Sequence, residues 1–79
     1  MRDTQPPITN EAEYQGYQQA CATMTQLVAE RELRLFAALA TSDTQLIEDR
    51  RFELLHVLRD RQGIIDAIHE YERKQRQSA

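Results

Sequence analysis

Tryptophan is absent from this chain of 79 residues, and cysteine, glycine and proline are scarce. Its one cysteine, Cys21, excludes a disulfide within the chain and a zinc site built from cysteines. Both prolines lie at residues 6 and 7, so no proline interrupts the backbone after them. Alanine, leucine, glutamine, glutamate and arginine dominate the rest, a composition typical of helical and coiled-coil proteins.

A strong excess of charge is also missing, because 13 acidic and 10 basic residues give a formal net charge of −3. A chain so close to balance lacks the general positive field that drives nonspecific binding to phosphate groups. The longest dense apolar patch, residues 35–40, is far too short to cross a bilayer, and residues 1–7 contain no apolar run of a secretory signal. We expect a soluble cytoplasmic protein without a membrane partner, and the single thiol fits a reducing compartment.

Residues 1–8 are predicted to form a flexible N-terminal arm, since polar residues and a Pro-Pro pair offer little to bury. One helical hairpin domain is expected to follow over residues 9–79. Thr9 or Asn10 can cap its first helix, with Glu11 and Glu13 in the first turn, where the helix dipole favours acids. If Asn10 is the cap, Glu13 occupies the third helical position of a capping box.

Apolar residues recur every three or four positions on both sides of a short polar break at residues 40–44. This spacing predicts two helices, about residues 10–40 and 43–76, each with one apolar stripe, or seam. The first seam consists of Tyr14, Tyr17, Cys21, Met24, Val28, Arg31, Leu35 and Ala38. The second consists of Ile47, Arg51, Leu54, Leu58, Arg61, Ile65, Ile68 and Glu72.

Two details of these helices are also predicted. The apolar surface broadens around Leu33, Phe36 and Leu39, so the last third of the first helix is expected to be the most deeply buried part. Gly63 has a low helix propensity, but no loop residues follow it. A continuous second helix is therefore the preferred interpretation, with a helix end at Gly63 as the alternative.

The polar break predicts a tight reversal of the chain. Ser42, followed three residues later by Gln45, is expected to cap the second helix. A stop and a restart within a few residues is what an antiparallel helix pair requires. Folding back here pairs residues whose numbers sum to about 85, such as Tyr14 with Tyr71. The predicted fold is therefore all-α, an antiparallel two-helix hairpin.

A chain of this length buries only a thin core by itself. The apolar face of each helix is also wider than one narrow seam needs. We expect two hairpins to dock face to face as a homodimeric four-helix bundle, with docking onto a different protein as the competing way to cover the same face. The residues expected to stay partly exposed in one hairpin, and so to mediate self-association, are Leu27, Leu33, Phe36, Phe52, Leu55, Val57 and Ile64.

Two groups of residues were tested for chemistry. Glu53 and His56 have the Glu-x-x-His spacing of di-iron bundles. Asp66 and His69 have the same spacing, with aspartate in place of glutamate. Both pairs lie on one helix about 20 Å apart, so exposed surface residues are the favoured interpretation. Cys21 lies on the seam, where a small core residue is expected. We expect no enzymatic activity, no metal and no cofactor.

The basic residues of the second helix give an alternative hypothesis about function. Acidic residues are interleaved among them, which favours a salt-bridged, solvated face. The alternative is a nucleic-acid-binding hairpin dimer, in which cations from two second helices contact DNA or RNA. The residues that would make this contact are Arg50, Arg59, Arg73, Lys74 and Arg76.

A resemblance to a known family lies in two short segments, Ile8-Thr9-Asn10-Glu11-Ala12-Glu13-Tyr14 and Glu70-Tyr71-Glu72. They resemble the helical region that precedes the DNA-binding domain in some Xre-type antitoxin regulators. No helix-turn-helix follows in this sequence, so the resemblance concerns the hairpin alone, and it implies a role in pairing or partner contact. We expect a small bacterial or phage protein that binds other proteins, as an antitoxin, an adaptor or an inhibitor.

Overall fold

Two α-helices make up nearly all of the computed structural model, which describes residues 6–78. Helix α1 spans Glu11–Leu39, helix α2 spans Thr44–Ser78, and residues 40–43 form the turn between them. The two helices pack against each other in a body with principal extents of 56 × 25 × 16 Å. The prediction of an all-α antiparallel hairpin is confirmed, and α2 is continuous through Gly63. Within the described residues, neither helix is long and apolar enough to cross a bilayer.

Asn10 fixes the start of α1, as the sequence predicted. Its side-chain oxygen accepts a hydrogen bond from the Glu13 backbone N–H at 2.9 Å. Glu13 returns a bond to the Thr9 backbone N–H rather than to the Asn10 backbone N–H. Its Oε1 accepts from the Thr9 N–H at 3.0 Å, from the Thr9 hydroxyl and from the Asn10 side-chain amide at 3.3 Å. These donors favour the carboxylate form, and they hold the pKa of Glu13 below its usual value.

The short segment before α1 contacts the hairpin. Ile8 is only 7% exposed, and the Tyr17 hydroxyl donates a hydrogen bond of 2.9 Å to the backbone carbonyl of Pro6. Residues 1–5 of the predicted arm, and residue 79, lie outside the described residues. Ile8 therefore adds an apolar side chain to the core that the two seams did not include.

Asp43, and not Ser42, caps helix α2. The Asp43 carboxylate accepts a hydrogen bond from the Leu46 backbone N–H at 3.1 Å, and its backbone carbonyl accepts from Ile47 at 3.1 Å. The predicted Ser42 cap is wrong by one residue. The expected capping box is also absent from this turn, since the Gln45 side chain donates to Asp49 instead.

Thr41 explains why the second helix starts one residue later than predicted. Its hydroxyl donates to the backbone carbonyl of Ala38 at 2.6 Å and accepts from the Asp43 backbone N–H at 3.2 Å. One side chain thus closes the end of α1 and holds the residue that caps α2. Asp is as good a cap as Ser, so the chain uses the first suitable residue after this link.

The predicted seam and register of α1 are confirmed. All its members are half-buried or buried, and Ala38 is only 2% exposed. The rings of Tyr14 and Tyr71 have centroids 5.0 Å apart, which matches the predicted pairing. A second contact at nearly the same register joins Arg61 Nε to the Thr25 hydroxyl at 3.1 Å.

The predicted seam of α2 is wrong at Arg51 and Leu58, whereas its members Ile65 and Glu72 are half-buried. Arg51 and Leu58 are exposed, whereas Val57 is half-buried and Ile64 is only 8% exposed. Relative to the prediction, α2 is rotated about its axis, so that the seam uses the residue before each of these four predicted positions. Apolar side chains occupy both candidate stripes, and the packing of Tyr71 on Tyr14 favours the earlier one. The observed seam is Ile47, Arg50, Leu54, Val57, Arg61, Ile64, Ile68 and Tyr71.

The last third of α1 is not the most deeply buried part. Leu33, Phe36 and Leu39 are each more than half exposed, because α2 covers only the side of α1 that carries the seam. The expectation of deep burial is therefore wrong for a single hairpin, with the exception of the seam residue Ala38.

Candidate interaction surface

The two sides of the hairpin that flank the seams differ in burial. On one side, which we call the closed face, Leu27, Leu46 and Asp60 are half-buried. An ion pair crosses between the helices here, with 3.9 Å between Arg34 Nη2 and Glu53 Oε2. The closed face is therefore held together partly by contacts within one chain.

The opposite side, which we call the open face, consists of residues that directly follow seam residues in the sequence, together with Thr44 at the start of α2. In an antiparallel pair these residues point to the same side on both helices, and the hydrogen bonds from Arg61 to Thr25 and from Tyr14 to Glu72 lie there. Its residues between the turn and the middle of the hairpin are all exposed. On α1 they are Ala22, Thr25, Ala29, Glu32, Phe36 and Leu39; on α2 they are Thr44, Glu48, Arg51, Leu55, Leu58 and Gln62.

Large apolar side chains concentrate on this side near the turn. Phe36, Leu39, Leu55 and Leu58 belong to the open face, and all are between 38% and 59% exposed. Leu33 and Phe52 lie at the two outer edges, opposite one another, and are more than 60% exposed. These residues together form what we call the turn-proximal patch, which is about 18 Å long from Leu39 to the level of Leu58.

The residues predicted to mediate self-association lie in three different places. Phe36 and Leu55 are on the open face, and Leu33 and Phe52 are at its outer edges. Leu27 is half-buried on the closed face, and Val57 is half-buried in the seam. Ile64 is buried in the seam, so the expectation that it stays exposed in a single hairpin is wrong.

The sequence prediction missed Leu39 and Leu58 as members of the exposed surface. Each directly follows a seam residue, Ala38 or Val57, which is the signal that could have found them. The predicted α2 stripe includes Leu58 in the seam, because that stripe lies one position too late at this point.

The basic residues of α2 do not form one continuous stripe. Arg50 lies in the seam, where its Nη1 donates to Glu53 Oε1 at 2.8 Å. Arg73 Nε donates to Glu70 at 3.2 Å, and Lys74 Nζ lies 4.0 Å from the same carboxylate. The bond from Arg73 holds the pKa of Glu70 below its usual value. Three of the five candidate nucleic-acid contacts therefore already face an acidic partner.

The other two candidate cations have no such partner. Within residues 6–78, neither Arg59 nor Arg76 forms an ion pair. They lie far apart along α2, at different positions around the helix. Two separated charges do not provide the basic groove or stripe that tracks a phosphate backbone. The nucleic-acid hypothesis gains no support from this geometry.

An open cleft of about 340 Å³ lies at the end of the hairpin far from the turn. The Tyr14 hydroxyl donates a hydrogen bond of 2.6 Å to Glu72 there. This bond to a carboxylate raises the pKa of Tyr14, because it favours the protonated phenol. The residues that line the cleft are Glu11, Tyr14, Tyr71, Glu72, Gln75 and Arg76.

The histidine and cysteine side chains are placed as surface and seam residues. His56 is exposed and meets Phe52 edge-on, with ring centroids 4.7 Å apart and an interplanar angle of 76°. Cys21 is half-buried in the α1 seam. In the part of the chain that the structure describes, no three His, Cys, Asp or Glu residues are grouped to hold a metal ion.

Comparison with known proteins gives no relative for this chain. No family model, no curated protein and no solved structure matches it. The surface must therefore be interpreted from its own chemistry.

Proposed function

We propose that this protein is a small, non-enzymatic protein–protein interaction module that acts as a homodimeric helical bundle. The turn-proximal patch forms the self-association surface, and the charged outer faces meet a target protein, as in an antitoxin, an adaptor or an inhibitor. The single thiol of Cys21 fits a reducing compartment such as the cytoplasm.

The observation that carries this proposal is the distribution of apolar side chains. Among residues 6–78, only Ile8, Ala38 and Ile64 are buried apolar residues, whereas the whole turn-proximal patch is exposed. Several large apolar side chains exposed near one end of a small protein, with polar residues around them, are typical of a protein interaction site. Full burial of one leucine or phenylalanine contributes about 1.5–3 kcal/mol, so covering the patch would add substantially to a thin core.

The composition of the seam points in the same direction. Arg31, Arg50 and Arg61 occupy seam positions and are only half-buried. Their aliphatic stems can pack against leucine or methionine, but each guanidinium must remain near water or an acid. An isolated hairpin with three such layers has little apolar burial for its length, and a second hairpin is the usual supplement in a small helical protein.

Sedimentation of the purified chain tests the proposal. We expect a dimer at micromolar concentration that dissociates on dilution. Leu55→Asp introduces a charge into the open face and should give a monomer that still folds, since Leu55 is 57% exposed in its own hairpin. Circular dichroism should show that this monomer retains helix.

Gln19→Asp is the matched control, because Gln19 is exposed on the outer side of α1 away from the patch. It introduces the same charge and should leave the dimer intact. A wild-type chain that remains a folded monomer up to high micromolar concentration would contradict self-association. A dimer that survives both Leu55→Asp and Phe36→Asp would show that another surface is used.

A further inference from the structure

The open face carries two rows of side chains that match each other in level along the hairpin. The Tyr14–Tyr71 contact sets the register, in which the numbers of residues at one level sum to about 85. Each residue of the α1 row therefore has a residue of the α2 row within about 3 Å in level, with numbers that sum to 83 or 84, for example 29 with 55 and 32 with 51. The rows therefore advance together from the turn outwards. In level order the pairs are Leu39/Thr44, Phe36/Glu48, Glu32/Arg51, Ala29/Leu55, Thr25/Leu58 and Ala22/Gln62.

The two rows are complementary in size and in charge. Leu55 and Leu58 of α2 lie at the levels of Ala29 and Thr25, which are smaller. Phe36 lies at the level of Glu48, whose aliphatic stem can pack against an aromatic ring. No level has two large apolar residues, so one row can be laid on the other without collision.

The charged residues indicate which row of one hairpin fits onto which row of another. Glu32 and Arg51 are both exposed and lie at neighbouring levels of the two rows. Arg51 has one partner in its own chain, Glu48 at 3.5 Å in an exposed bridge. Within residues 6–78, Glu32 forms no ion pair. A surface that laid the α2 row onto the α1 row would therefore place Arg51 against Glu32.

A second copy of the same chain is such a surface. We propose that two hairpins dock through their open faces about a two-fold axis parallel to the long axis, so that α1 of each copy lies on α2 of the other and Glu32 pairs with Arg51 of the second copy. The ion pair between Glu32 and Arg51 then occurs twice in the dimer, once on either side of the axis. This inference rests on the self-association proposed above and specifies its geometry.

The other face-to-face arrangement has a two-fold axis that crosses the hairpins. It lays α1 on α1 and α2 on α2 in opposite directions. If its axis passes through the centre of the patch, near the level of Leu33 and Phe52, Glu32 lies against Glu32 and Arg51 against Arg51. Like charges directly opposite each other are destabilising. The charge pattern therefore selects the arrangement that pairs α1 with α2.

Charge-reversal variants test this geometry in the full-length chain. In the proposed dimer, Glu32→Arg and Arg51→Glu each place like charges together at two sites. We expect each variant to weaken dimerisation by about tenfold at low salt, since exposed ion pairs contribute modestly. An equimolar mixture of the two variants restores both opposite-charge pairs, and so does the double variant. Both should therefore dimerise within about threefold of the wild type.

The variants also distinguish the alternatives. If α1 lies on α1, either single variant leaves like charges facing each other as before, so unchanged dimerisation would overturn the proposed geometry while leaving self-association intact. A pairing of Glu32 with Arg51 inside one chain could not be rescued by mixing two variants. Failure of the mixture to recover would thus also overturn the proposal. A wild-type chain that never dimerises would overturn self-association itself.

A distance measurement provides an independent readout. Spin labels on Ala12→Cys, in a Cys21→Ala background, report the separation of the two N-terminal helix ends. In the proposed dimer these ends lie side by side, and the labels should be less than about 35 Å apart, given helix spacings near 10 Å. In the crossed arrangement they point in opposite directions and should be about 60 Å apart, which would overturn the proposal.

Discussion

The Tyr14 hydroxyl donates a hydrogen bond of 2.6 Å to the Glu72 carboxylate, and this bond joins the two helices at the end of the hairpin far from the turn. The Tyr14 ring also packs on Tyr71, with 5.0 Å between the centroids. The two contacts fix the register of the hairpin at the end that the turn constrains least.

Removing this bond should have an effect that depends on pH. The pKa of Tyr14 is raised above its ordinary value of 10.0, chiefly by its bond to Glu72. The folded state therefore favours the protonated phenol, and the stabilisation is present below pH 10 and lost as the pH rises through the folded-state pKa. Tyr14→Phe should lower the melting temperature near neutral pH, and its difference from the wild type should shrink above pH 10. A difference that stays constant into the alkaline range would contradict the role of this bond.

Asp43→Ala should destabilise the hairpin by about 1 kcal/mol, since it leaves the first backbone N–H groups of α2 without their cap. Ser42→Ala is the matched control. Ser42 is adjacent and exposed but does not cap the helix, so its removal should change the unfolding free energy by less than about 0.5 kcal/mol. Urea unfolding at one fixed protein concentration measures both. The reverse order of effects would restore Ser42 as the cap.

Ile64→Ala should destabilise the protein by about 2–3 kcal/mol, because it opens a cavity at one of the few buried positions of the seam. Leu33→Ala is the comparison, since the Leu33 side chain is 68% exposed at the outer edge of α1. Its substitution should alter the unfolding free energy by less than about 0.5 kcal/mol. Equal losses from the two variants would mean that the observed rotation of α2 is incorrect.

Gly16→Ala should stabilise the protein by about 0.5–1 kcal/mol, because alanine restricts the unfolded chain and favours the helix. A Cβ at Gly16 would meet nothing within 4 Å, and no described glycine has a positive φ. Ala37→Gly makes the reverse change at the equivalent exposed position further along α1 and should lower stability by a similar amount. A loss of stability in Gly16→Ala would indicate that this surface is covered.

Mild acid should weaken the start of α1. The pKa of Glu13 lies below its ordinary value of 4.5, first because of its bond with the Thr9 side chain. The contribution of this carboxylate is thus fully present above pH 4.5 and is lost as the pH falls through the folded-state pKa. In Glu13→Gln this contribution should be absent, so the melting temperature should fall less between pH 6 and pH 3 than in the wild type. Parallel pH profiles for the two proteins would argue against the capping bond.

The sequence predicts the helices, their register and the α1 seam because each rests on a single strong pattern. Along α1, one stripe alone carries apolar residues at nearly every step from Tyr14 to Ala38, and it is the stripe that α2 covers. The rotation of α2 about its axis is harder to predict from the sequence, because Val57 lies beside Leu58 and Ile64 beside Ile65. Two apolar stripes of similar quality were available, and packing between the helices selects one of them.

The candidate surface was predictable only in part for the same reason. Phe36 and Leu55 are exposed on the open face whichever α2 stripe is chosen, whereas Leu58 and Ile64 exchange places when the helix is rotated. The burial of Ile8 had no periodic signal, since one apolar residue before a helix belongs to no stripe. Its role becomes visible only when the chain before α1 is placed against the hairpin.

The shortness of the turn at residues 40–43 also orders the events of folding. Contacts near the turn close small loops, and each layer further away closes a larger loop at a greater entropic cost. The hairpin should therefore close progressively from the turn and open first at the tyrosine end. Pro6 and Ile8 pack against the hairpin near that late-closing end. The hydrogen bond from the Tyr17 hydroxyl to the Pro6 carbonyl holds this segment on α1. We therefore expect the segment before α1 to slow the fraying of the hairpin at the end that lies farthest from the turn.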